Sequence, residues 1–110
     1  MSRPDPAPQF AAPLFAALGD PTRLSLVVKL SAGGERSIAT LATGSGLSRQ
    51  AVTKHLHVLA AAGLVHTARV GRESRFSLRA ERLTDAGRYL DRIATEWDDA
   101  LSRLKAHIEE

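Results

Sequence analysis

Residues 37–63 read Ser37-Ile38-Ala39-Thr40-Leu41-Ala42-Thr43-Gly44-Ser45-Gly46-Leu47-Ser48-Arg49-Gln50-Ala51-Val52-Thr53-Lys54-His55-Leu56-His57-Val58-Leu59-Ala60-Ala61-Ala62-Gly63. Ser37 suits the N-cap of a short helix over 38–43, with Ile38, Leu41 and Ala42 facing inward. Gly44-Ser45-Gly46 is too rich in glycine for a helix and predicts a tight turn. Leu47 then plugs the core, and Ser48 caps a longer helix over 49–62 in which Val52, Leu56 and Leu59 recur with helical period. The opposite side carries Arg49, Gln50, Thr53, Lys54 and His57, and Gly63 ends the helix. A short helix, a tight turn and a helix with a basic outer face form a helix-turn-helix over 37–62. Short or flexible polar side chains on that face suit a major groove about 12 Å wide.

Working outward, residues 10–18 predict a short helix containing Leu14, Phe15 and Leu18 and ended by Gly19. Asp20-Pro21-Thr22 starts another, with a carboxylate for the orphan N–H groups and proline at the first helical position. Ahead of these, Pro4, Pro6 and Pro8 predict a disordered arm over 1–8, leaving one domain over 9–110.

Past Gly63 the period changes to two. Residues 64–70 and 74–78 predict strands around Gly71-Arg72-Glu73, a hairpin wing over 64–78 with Arg69, Arg72 and Arg75 in or near it. From Thr84 to Glu109, Leu90, Ile93, Trp97, Leu101, Leu104 and Ile108 recur at helical steps. A helix of that length is long for so small a domain and needs a partner surface. The order of elements predicts a mostly α fold with a small β-hairpin, a winged helix-turn-helix carrying a long C-terminal dimerisation helix over 84–109. Leu14, Phe15, Leu90, Ile93, Trp97, Leu101 and Leu104 are the expected dimer interface.

Composition narrows the function classes. One hundred and ten residues support a single core and leave no room for a second catalytic lobe. With no cysteine, disulfide scaffolds, thiolate metal sites and cysteine nucleophiles are excluded. The N-terminus lacks the basic-then-apolar layout of a secretory signal, and no apolar run nears the ~18–20 residues a bilayer requires. A soluble, cytoplasmic protein is expected, with no membrane partner. Residues 1–82 hold 11 basic and 5 acidic side chains, whereas 83–110 hold 4 and 7. A basic body with an acidic tail leans toward a polyanionic partner for the body.

Three segments together resemble the ArsR/SmtB-type bacterial winged-helix repressors: Ala17-Leu18-Gly19-Asp20-Pro21-Thr22-Arg23, Ser48 through Leu56, and Leu59 through Val65. The wing, Gly71 through Leu78, fits as well, and the tail resembles the subgroup without metal-binding cysteines. The resemblance covers residues 10–110. It implies a homodimeric, sequence-specific transcriptional repressor that binds double-stranded operator DNA.

Within that frame, Ser48, Arg49, Gln50, Thr53, Lys54, His57, Arg69, Arg72 and Arg75 are the candidate DNA contacts. Arg49 and Gln50 have the forked donor and acceptor groups that pair with guanine and adenine edges, while Ser48, Thr53 and Lys54 suit phosphate. Arginines at the hairpin tip suit the backbone or a narrow minor groove, although charge there also protects an exposed strand edge. His55 and His57 are two apart on a helix and point to different sides, so they cannot share a metal; His55 flanks the apolar stripe and is expected to be structural.

A metal-responsive repressor is the first alternative. Family sensors pair an Asp-x-His with a His-x-x-Glu on the C-terminal helix; here His107 and Glu110 fit the second half, but Ala94 and Glu96 stand at the first. One imidazole per chain is poor for zinc, so no metal and no cofactor are expected. A winged helix used only for protein contacts is the other alternative, and the basic recognition face argues against it. No phosphate loop, nucleophile motif or carboxylate–histidine cluster supports an enzyme.

Overall fold

The computed structural model describes residues 7–109. Helix α1 spans Pro8–Leu18, α2 Pro21–Leu30, α3 Ile38–Ala42, α4 Arg49–Ala61 and α5 Ala80–Glu109. Strands β1 (Arg36–Ser37), β2 (Val65–Val70) and β3 (Glu73–Leu78) form one antiparallel sheet in the order β1-β3-β2.

The helix starts follow their capping chemistry. Asp20 accepts from the Arg23 N–H, Ser37 from Thr40 and Ser48 from Ala51, so each helix satisfies one of its orphan donors by its own cap. Helix α1 starts earlier than expected, at Pro8, because proline fits the first turn and the Ala7 carbonyl accepts from Phe10 and Ala11. The expected disordered arm over 1–8 is therefore corrected at Pro8, and its residues 1–6 lie outside the described residues. Between α3 and α4, Gly44 and Gly46 take φ of +75° and +74°, a left-handed backbone that residues with a Cβ rarely adopt. That turn lets Leu47 fold back onto the core while α4 leaves in a new direction.

Leu14, Leu26, Leu30, Leu41, Val52, Leu56, Leu59, Leu64 and Phe76 make one buried cluster drawn from the first four helices and the hairpin region. Leu14, expected at the dimer interface, is only 1% exposed within this core. That expectation is corrected: the helical face carrying Leu14, Ala11 and Ala17 closes over the protomer's own interior.

The register of the hairpin is Val70 opposite Glu73, Ala68 opposite Arg75 and Thr67 opposite Phe76. Gly71 and Arg72 form its two-residue turn, with positive φ at the glycine alone, a pattern that fits the twist of the flanking strands. Strand β3 starts at Glu73 and not at 74, and β1 was not expected at all. Arg36 and Ser37 pair with Phe76 and Arg75, which shields one edge of β3.

The C-terminal helix starts at Ala80, four residues before the expected Thr84. Arg79 donates its N–H to the Leu64 carbonyl and Arg82 its own to Arg79, so the chain passes from strand to helix without a loop. Of the thirty residues of α5 only Asp85 and Ala86 are buried, and the molecule measures 68 Å in its longest dimension.

Candidate nucleic-acid interface

The helix-turn-helix places α4 beside the wing. A cleft of about 340 Å³ between them is lined by Ser37, Ile38 and Ala39, by Arg49, Gln50 and Thr53 of α4, and by Arg72, Glu73 and Ser74 of the hairpin. Residues 23 positions apart in sequence thus share one concave surface. Val52, Leu56 and Leu59 anchor the inner face of α4, leaving Arg49, Gln50, Lys54 and His57 exposed on the outside.

Two hydroxyls differ in what they have left to offer. Ser48 Oγ accepts from the Ala51 N–H at 3.1 Å, and its own hydrogen remains available to a phosphate oxygen. Thr53 Oγ1 donates to the Arg49 carbonyl at 2.7 Å, so its hydrogen is already committed.

Arg72 is exposed at the tip of the hairpin and lines the cleft. Arg69 is exposed on the neighbouring strand, opposite Ser74, and is outside that cleft. Arg75 faces a second hollow of about 340 Å³ with Glu35, Arg36, Ser37, Thr40 and Glu73. Its Nε donates to Glu73 Oε2 at 3.0 Å. Glu73 and Arg36, which also line these hollows, were not among the expected contacts. Glu73 was legible only as a turn residue, since its i,i+2 pairing with Arg75 depends on β3 being extended from residue 73.

Behind α4, His55 sits among polar partners, as expected of a structural histidine. Arg23 donates from Nη1 to His55 Nδ1 at 3.4 Å and from Nε to the Ala17 carbonyl at 2.7 Å. Asp20 Oδ2 is 3.8 Å from the same histidine nitrogen. The end of α1, the cap of α2 and the back of the recognition helix are joined at this point. The Arg23 backbone N–H, reinforced by the charge of the Arg23 guanidinium, holds the Asp20 carboxyl below its usual pKa.

Along α5 the apolar stripe is open to solvent. Leu90, Ile93, Leu101, Leu104 and Ile108 are exposed, and Trp97 retains 65% of its surface. Phe15 of α1 is half-buried and packs its ring 5.9 Å from Tyr89 at the base of the stripe. No group of three metal-binding side chains occurs among the described residues; Glu110 lies outside them. Among the same residues, no helix is long and apolar enough to cross a membrane.

A recognition helix preceded by a glycine turn and flanked by an antiparallel hairpin defines the winged helix-turn-helix class of DNA-binding domain. A helix-turn-helix domain model matches residues 18–68. The solved structure of an ArsR-like transcriptional regulator from Rhodococcus sp. RHA1 is 42% identical and superposes with a TM-score of 0.76, covering 88% of this chain and 91% of that one. The homodimeric winged helix-turn-helix DNA-binding domain of a possible ArsR-family regulator from Mycobacterium bovis is 25% identical, with a TM-score of 0.63 over 83% and 81%. A probable mercury resistance operon repressor of Streptomyces lividans is 37% identical over 78 residues, 71% of this chain but only 62% of that protein's length. The chain belongs to the ArsR-like transcriptional regulators.

Proposed function

We propose that this protein is a homodimeric repressor that reads operator DNA with α4 and steadies itself on the duplex with the wing. The observation that carries the reading is the shared cleft of Arg49, Gln50 and Arg72, which sets base-reading side chains beside a backbone-following cation. Ser48, Lys54, His57 and Arg69 surround it as phosphate contacts, with Thr53 contributing shape more than a donor. Phe15, Leu90, Ile93, Trp97, Leu101 and Leu104 form the seam with the second copy. The protein acts in the cytoplasm by binding and not by catalysis, which is in keeping with its family and with the absence of a membrane-crossing helix among the described residues.

The mercury chemistry of the Streptomyces lividans relative does not carry over. Soft ions of that kind select thiolates, and this chain has no cysteine.

Alanine at Arg49 or Gln50 is expected to weaken operator binding by ~1–3 kcal/mol and to relax the base preference at one position. Lys54→Ala should instead weaken all sequences alike and flatten the salt dependence by about one ion. Binding isotherms on operator and scrambled duplexes at several salt concentrations separate the two patterns. Unchanged isotherms in all three variants would remove α4 from the interface.

A further inference from the structure

We infer that Glu73 restrains the wing, by holding Arg75 in an internal ion pair that keeps this second cation from binding DNA phosphates regardless of sequence. The inference rests on the proposed wing contact and assigns one residue the control of its strength.

Three observations support it. Glu73 and Arg75 are two apart on an extended strand, so both side chains stand on the same face of β3, while Phe76 turns into the core. The Arg75 Nε donates to Glu73 Oε2 at 3.0 Å, with the two side chains 41% and 48% exposed. Glu73 also lines both hollows of the interface, the one holding Arg49, Gln50 and Arg72 and the one holding Arg36 and Arg75. A carboxylate at the junction of two cation-lined hollows is misplaced for gripping a polyanion. Its placement makes sense if it moderates that grip.

The physical consequence differs between right and wrong DNA. Binding to a non-operator duplex rests almost wholly on phosphates neutralised by Lys and Arg. There the protein is free to shift until every available cation meets a phosphate, so a freed Arg75 would be used. On the operator, base contacts from α4 fix the register and with it the position of the wing. A freed Arg75 then reaches a phosphate only if one happens to lie within range. Glu73 therefore lowers sequence-independent affinity more than operator affinity, and its removal narrows the ratio between the two. Arg72, one residue before it at the tip, has no carboxylate partner among the described residues and remains the working contact of the wing.

The test is a cycle of Glu73→Gln, Arg75→Ala and the double variant, measured with the whole protein on operator and scrambled duplexes across a salt series, with Arg72→Ala alongside. Gln keeps the size and polarity of the side chain at an exposed position, and an unaltered thermal melt confirms the fold. Glu73→Gln is expected to tighten scrambled DNA by about fivefold, ~1 kcal/mol, and to steepen its salt slope by about 0.9, one added phosphate. The operator should gain less, and adding Arg75→Ala to Glu73→Gln should erase the gain, whereas Arg75→Ala alone, which leaves the Glu73 carboxylate unpaired, should weaken scrambled DNA. An unchanged scrambled-DNA isotherm in Glu73→Gln, or a gain that survives in the double variant, overturns the inference. So does a selective loss on the operator, which would make Glu73 a reader of a base edge. If Arg72→Ala leaves every isotherm unchanged, the wing itself is not at the DNA, and the proposed contact falls together with the restraint. If Arg72→Ala weakens binding but Glu73→Gln changes nothing, only the restraint falls.

Discussion

Asp20 shows how much one side chain can organise. Its carboxylate caps α2 through the Arg23 N–H at 3.0 Å and stands near His55 on the recognition helix. Because the folded state holds its pKa below the ordinary value of 3.8, the ionised cap stabilises the protein fully above that value. The contribution fades as pH falls below 3.8 and through the lower folded value. Asp20→Asn, which can still cap but does not titrate, should therefore flatten the acid limb of a melting-temperature profile below about pH 4. Asp20→Ala should lower the melting temperature at neutral pH as well. The caps were readable from sequence because a cap is local: Ser37, Ser48 and Asp20 each bond a backbone group three residues on. The pairing of Arg23 with His55, 32 residues away, was not, since nothing in the spacing says which helices meet.

At the level of elements, the recognition helix depends on the stripe it buries. Leu56 is fully buried where α4 crosses the core, and Leu56→Ala should cost ~2–5 kcal/mol by removing buried surface and leaving a cavity. Chemical denaturation measures this directly; a loss under ~1 kcal/mol would mean that the site collapses around the smaller side chain or that α4 is not anchored there. The period of Val52, Leu56 and Leu59 made this helix plain in the sequence. Strand β1 was invisible for the opposite reason, since two residues have no period, and Arg36 and Ser37 become a strand only because β3 offers them a free edge. The early start of α5 was also hidden. Arg79 and Ala80 have no propensity that forbids a loop, and the backbone bond from Arg79 to Leu64 fixes the helix start from another element.

The assembled molecule has an exposed apolar stripe along a helix of thirty residues, ~45 Å in length. Large apolar surfaces of this kind mark association sites. A two-fold dimer through α5 would present two recognition helices to half-sites ~34 Å apart, which one copy cannot read. Leu101→Asp puts a charge in the middle of the proposed seam, away from the buried core of the protomer, and should yield folded monomers with sharply reduced operator affinity. Sedimentation and circular dichroism together check this. A folded dimer with normal affinity would place the interface elsewhere.

The sequence by itself determined the order of the helices and the hairpin, the capped starts of the central helices, the glycine turn and the inward stripe of α4. These rest on interactions among residues within a few positions of one another, and composition and spacing record them directly. The tertiary structure alone decided that Leu14 belongs to the protomer's core and Phe15 to the base of the α5 stripe. Both are apolar residues of one short helix, and period cannot tell a face that packs inward from one that waits for a partner. It also decided that Arg75 is paired while Arg72 at the tip has no carboxylate partner among the described residues, because a charge's availability depends on which neighbour the strand register sets beside it.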